Sequence, residues 1–117
     1  VADRETLLTW AATVRRAREA AGVDLNGFRL ETDEKSRSVL TAAYVRARES
    51  PDYTIPNWKI ADGVYVTLDA ATILAAGTAV SNHIQSCFDK NRAIDDLILS
   101  GEITTREQII AAFEELN

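Results

Sequence analysis

The stretch DAATILAAGTAVSNHIQSCFDKNRAIDDLILSG, residues 69–101, decides the fold. Within it Ile73, Gly77, Val80, Ile84, Cys87, Asn91, Ile94 and Ile98 recur at alternating steps of four and three. That is four successive heptads on one face of a long helix. Asp69 is placed to cap the first turn and Ser100-Gly101 to end the last, so the spacing predicts a helix over about 70–99. A straight helix of that length spans about 43 Å, whereas a globule of this chain length is only about 35 Å across. On these magnitudes the helix either bends, with Gly77 as its weakest point, or projects beyond its core. A projecting stripe needs a partner, and a second copy of the chain is the nearest candidate. Asn91 on the stripe fits that reading, because a buried Asn in a helical seam can fix register and oligomer state. The alternative is a stripe packed on its own sheet, with Asn91 capping or facing water.

Working outward, residues 57–60 and 64–68 are rich in aromatic and β-branched side chains and bracket Ala61-Asp62-Gly63. They predict a hairpin with Gly63 in the left-handed region. Ser50 to Pro56 carries two prolines and reads as a connecting loop. A helix is expected over 33–49, capped by Asp33, with Val39, Leu40, Ala43, Tyr44 and Ala47 as its apolar side. Before it, Asn26-Gly27 lies between alternating apolar residues, Leu25, Phe28 and Leu30, which predicts a tight hairpin with positive φ at Gly27. The two hairpins either join into one four-stranded sheet or remain separate ribbons. Leu7, Trp10, Ala11, Val14, Ala17 and Ala21 predict a helix over 3–21, and Thr104-Thr105-Arg106-Glu107 reads as a capping box opening a last helix to Leu116.

The chain has 117 residues, a formal charge of −5, one cysteine and one histidine. Its length implies a single domain, residues 1–117. An acidic chain lacks the basic footprint of nucleic-acid or anionic-membrane binding, and no apolar run approaches the ~20 residues of a membrane span. The sequence contains no methionine and begins at Val1, which fits a C-terminal domain of a longer protein or one processed at its start. His83 and Cys87 stand four apart on the long helix, but nothing nearby supplies the third and fourth ligands of a zinc site. Mid-helix amides are already hydrogen-bonded and cannot form an oxyanion hole, so the pair reads as structural. Asp62 and Asp69 occupy turn and cap positions, and the neighbours Asp95-Asp96 and Glu114-Glu115 diverge by about 100° on a helix. No catalytic residue, cofactor site or metal site is assigned. Of the two tryptophans, Trp58 is the better candidate for a contact surface, joined by the stripe residues Ile84, Asn91, Ile94 and Ile98.

Asn26-Gly27 before Thr32-Asp33, Trp58-Lys59 with Asp62-Gly63, Thr67-Leu68-Asp69-Ala70, Ala79-Val80, His83, Cys87-Phe88 and Gly101 to Thr105 follow one another along the chain. On these residues, from about Trp10 to Ile110, the chain resembles the uncharacterised domain family found near the C-terminal end of bacteriophage and prophage tail-fibre-associated proteins. The resemblance implies a phage structural or tail-assembly component without assigned enzymatic activity, contacting itself or a tail fibre protein, in the virion or in the host cytoplasm during assembly. It carries over no catalytic residues. Together these readings predict an α+β fold, two antiparallel β-hairpins packed with a long helix and three shorter ones. They predict a non-enzymatic module acting through protein–protein contacts, with a homo-oligomer as one form. The competing expectation is a small acidic phage protein that binds and inhibits a host enzyme or a nucleic-acid-binding protein.

Overall fold

The computed structural model describes residues 2–115; the start at Val1 and the expected last helical residue, Leu116, lie outside the described residues. The order of elements is α1 (Arg4–Glu19), β1 (Val23–Leu25), β2 (Phe28–Leu30), α2 (Glu34–Glu49), β3 (Thr54–Ala61), β4 (Val64–Asp69), α3 (Ala70–Leu99) and α4 (Arg106–Glu115). This is the expected α+β arrangement. The hairpins stay separate: β1 pairs with β2 and β3 with β4, both antiparallel, in two sheets of two strands.

Local chemistry explains the boundaries. The Asp3 carboxylate accepts from the Thr6 amide (2.8 Å) and the Asp69 carboxylate from the Thr72 amide (2.8 Å), each satisfying a donor that the helix leaves open. At the end of α3, Gly101 has φ +86 and its N–H donates to the Ile98 carbonyl, while Glu102 N–H donates to Leu97. That is a Schellman stop, which a left-handed glycine makes possible. The capping box of α4 sits one residue later than the sequence suggested. Gln108 N–H donates to Thr105 Oγ1 (3.2 Å), and Gln108 Oε1 accepts from the amides of Thr104 (2.7 Å) and Thr105 (3.1 Å). Two adjacent threonines offered two frames, and the longer Gln108 side chain completes the second.

Asn26 (φ 51) and Gly27 (φ 85) are both left-handed, as a two-residue type I′ turn requires, whereas in the second hairpin only Gly63 (φ 74) is. Replacing Gly27 or Gly63 with valine is expected to cost about 1–3 kcal/mol, because a β-branched residue resists positive φ. Chemical denaturation of each variant checks this. Strand β3 begins at Thr54 rather than after Pro56, which corrects the loop expected there. Proline is tolerated because both strands of a two-stranded sheet are edges, where a missing N–H need not remove a ladder bond.

The chain divides into two compact units, a terminal one (Val1–Glu19 with Ile84–Asn117) and a central one (Ala20–His83). The core of the terminal unit is Leu7 and Ala11 of α1, Ile94 and Ile98 of α3, Ile103, and Ile109 and Phe113 of α4. In the central unit the buried apolar side chains come from β2 (Leu30), α2 (Leu40, Ala43, Ala47), β4 (Leu68) and α3 (Ile73, Ala76, Val80). Helix α3 therefore gives its first half to one core and its second half to another, which answers the length paradox. At Gly77, the position expected to be weakest, the Tyr44 ring of α2 lies against the glycine backbone.

Candidate functional site

The hairpin β3–β4 gathers exposed apolar surface. Leu68, Val66 and Val64 alternate onto one side of β4, and their exposure grows towards the turn: Leu68 is 1% exposed, Val66 intermediate, Val64 45%. Trp58 is paired with Val66 and half-buried, so its ring extends the same side. Tyr65, opposite Lys59, points the other way and is 56% exposed. The apolar face of the hairpin thus begins in the core of the central unit and runs out of it.

The backbone of the two strands differs. Between the pairs Ile55–Leu68 and Trp58–Val66 strand β3 advances three residues and β4 two; between Lys59–Tyr65 and Ala61–Val64 it advances two against one. Both extra residues are on β3. Strand β2 approaches β3 without pairing with it. The outer edge of β4 pairs with no strand among the described residues.

Of the residues nominated from sequence, only Trp58 belongs to this surface. Ile94 and Ile98 are 0% and 1% exposed in the terminal core, so the heptad stripe faces its own fold there rather than a partner. Ile84 is half-buried. Asn91 is buried in a polar chain that ties α1 to α3. Its Oδ1 accepts from Arg15 Nη1 (2.8 Å), its Nδ2 donates to Asp95 Oδ1 (3.0 Å), and Arg15 Nε donates to Glu19 Oε2 (3.0 Å). The Arg15 guanidinium also lies 4.5 Å from the centroid of the Phe88 ring. Asn91 thus joins two helices of one chain; it neither caps a helix nor faces water, and its buried polar contacts lie within the fold rather than in a seam between copies. Val64 and Tyr65 escaped the sequence reading, because a hairpin's alternation does not say which residues lie beyond the end of the core.

Burial, and then the neighbouring Asp96 charge, pushes the Asp95 carboxyl above its usual range. A raised folded-state value means that the group favours folding while protonated and loses that contribution as pH rises through it. Asp95→Asn keeps an oxygen for Asn91 and is expected to be neutral or stabilising at pH 7, with a flatter stability profile just above the ordinary carboxylate range. Denaturation at a series of pH values checks it.

Cys87 is buried, and burial followed by the Glu19 charge pushes its thiol up. That is the opposite of the electropositive setting that activates a nucleophilic thiolate. Cys87 is expected to react with a disulfide reagent only after unfolding, and Cys87→Ala together with His83→Gln to leave the circular dichroism spectrum unchanged. Among the described residues no group of three or more His, Cys, Asp or Glu side chains is placed to hold a metal ion. No helix there is long and apolar enough to cross a membrane. A 440 Å³ depression beside the first hairpin is lined by Ala21, Gly22, Arg29, Leu30 and Asp33. Its cation is engaged by the fold, since Arg29 donates to the Ala21 carbonyl (2.8 Å) and to Asp24 (3.2 Å).

A family described as a domain of unknown function (DUF4376) matches residues 2–115, a span that takes in both units. No curated protein and no solved structure matches the chain.

Proposed function

The chain belongs to the DUF4376 family, and on that premise we propose that it is a non-enzymatic structural or tail-fibre assembly module of a bacteriophage or prophage. It acts through protein–protein contacts, in the virion or in the host cytoplasm while tails are built. The observation that carries this reading is the β3–β4 hairpin, whose apolar side leaves its core at Val64 and presents Trp58 beside it, with Tyr65 on the opposite side. Aromatic side chains such as the half-buried Trp58 beside exposed Val64, and exposed Tyr65 on the reverse side, are the usual anchors of a protein contact. The tail-fibre assignment draws its support from the resemblance of the Trp58-Lys59, Asp62-Gly63 and Cys87-Phe88 set.

Two measurements test it. Mass spectrometry of purified particles and tail intermediates should find the chain at a fixed ratio to fibre protein. Calorimetric titration of the chain with a tail fibre protein of the same phage or prophage should show binding, weakened about tenfold or more by Tyr65→Ser. Accumulation of the chain only early in infection, with a host enzyme as its bound partner, would overturn the proposal in favour of an inhibitor.

A further inference from the structure

Of the five asparagines only Asn26 precedes a glycine, and that pair forms the tip of the first hairpin, where both residues are exposed. An asparagine in front of glycine has a reaction open to it that needs no partner but water. The Gly27 nitrogen attacks Asn26 Cγ, with no side chain on residue 27 to hinder the approach. A bond forms between those two atoms, the Cγ–Nδ2 bond breaks, and ammonia leaves from a cyclic imide. Water then opens the ring at either carbonyl. One opening gives aspartate; the other gives isoaspartate, whose main chain runs through Cγ.

The ring closes only when Gly27 N swings round until it nearly eclipses Asn26 Cβ. Asn26 has φ 51, and the ψ of this left-handed conformation sets Gly27 N almost opposite Cβ. Right-handed helical and extended backbones both bring the nitrogen closer. The type I′ turn therefore holds the pair in its least reactive geometry. What maintains that turn is slight, for β1 and β2 share three residue pairs, and a two-stranded ribbon is marginal alone. The base of the hairpin is fixed: Leu30 is buried, Gly22 N–H donates to Thr32 Oγ1 (2.9 Å), and Arg29 of β2 donates to Asp24 of β1 and to the Ala21 carbonyl. Its tip stands free, with nothing within 4 Å of the place that a Cβ on Gly27 would take. We infer that Asn26 is a site of spontaneous deamidation gated by the first hairpin, blocked in the folded turn and released when the tip opens. Either product adds one negative charge. Isoaspartate also lengthens the main chain by one methylene, so it does not rebuild the two-residue turn, and the opened tip stays open.

The full chain is incubated folded and in urea at one mildly alkaline pH and then cut with trypsin, which releases residues 19–29 with Asn26 as their one asparagine. Mass spectrometry should find that peptide losing its amide in both samples, about tenfold or more slowly in the folded chain, because only the locally opened fraction reacts. Chromatography should resolve the product into aspartate and isoaspartate forms. In urea, Asn57 and Asn82, which precede Trp58 and His83, should keep their amides over the same time. Arg29→Ala unties β2 from β1 and should raise the rate in the folded chain severalfold, while it stays below that variant's own rate in urea. Equal rates in the folded and unfolded chain would overturn the gate, a comparison that needs no variant to fold. An unchanged rate in folded Arg29→Ala would overturn it too. An Asn26 amide that survives in urea, or is lost no faster than those of Asn57 and Asn82, would overturn the site itself.

Discussion

Ile94→Asp combined with Ile98→Asp is expected to unfold the terminal unit rather than to release a folded monomer. Both isoleucines are fully enclosed by Leu7, Ala11, Ile109, Phe113 and their neighbours. Each contributes roughly 1.5–3 kcal/mol by leaving water, and each new carboxylate would sit where an unpaired charge costs several kcal/mol. The sum is of the same order as the whole stability of a small domain, about 5–15 kcal/mol. Ile94→Val, by contrast, should cost only about 0.5–1.5 kcal/mol. Hydrogen exchange checks the distinction: amides of α1 and α4 should lose protection in the aspartate pair and keep it in the valine variant. Retained protection in the aspartate pair would mean that the stripe does not face this core.

Gly77→Val should destabilise the central unit by on the order of 3 kcal/mol, although replacing a mid-helix glycine ordinarily helps the helix. A Cβ at this position would stand 3.0 Å from Tyr44 Cε2 and closer still to Cδ2, so the ring or the helix must move. Overpacking of this kind costs typically about 1–3 kcal/mol, and a β-branched side chain adds its own loss of rotamer freedom in a helix. Gly77→Ala should lose less but keep the sign. Combining either with Tyr44→Ala removes the obstacle, so the double variant should be more stable than the sum of the single losses. Additive losses from urea titration would show that the ring does not rest on the glycine.

Helix α3, which carries all three of these positions, also shows what was legible in the sequence. The ends of α3 could be read to the residue, because Asp69 and Gly101 are each bound to a backbone geometry that few other residues serve. The Asn26-Gly27 turn was legible for the same reason. The heptad stripe was equally visible but silent about its partner. Periodicity reports that one face must be covered, and a core of the same chain covers it as well as a second copy does. The paradox of the helix that was too long came from supposing one core. Pro56 misled because its punctuation is reliable in central strands and weak at edges. The apolar surface of the β3–β4 hairpin was half legible: Trp58 could be nominated from sequence, whereas Val64 and Tyr65 became notable only when their exposure was known.

The terminal unit is assembled from two segments that the whole of residues 20–83 separates. During synthesis α1 emerges before the central unit and waits, for its partners Ile94, Ile98, Ile109 and Phe113 follow only after the whole of residues 20–83. The central unit, continuous in the chain, can close while they are still being added. Its closure shortens the free tether between α1 and the second half of α3, and each halving of a loop lowers the entropic cost of joining its ends by about 0.6 kcal/mol. Loop-closure entropy thus favours closing the inner excursion first and joining the outer helices last. A nascent chain stalled before Ile103 would carry a finished centre and an unclaimed first helix, whose Leu7 and Ala11 are the apolar surface a chaperone would meet.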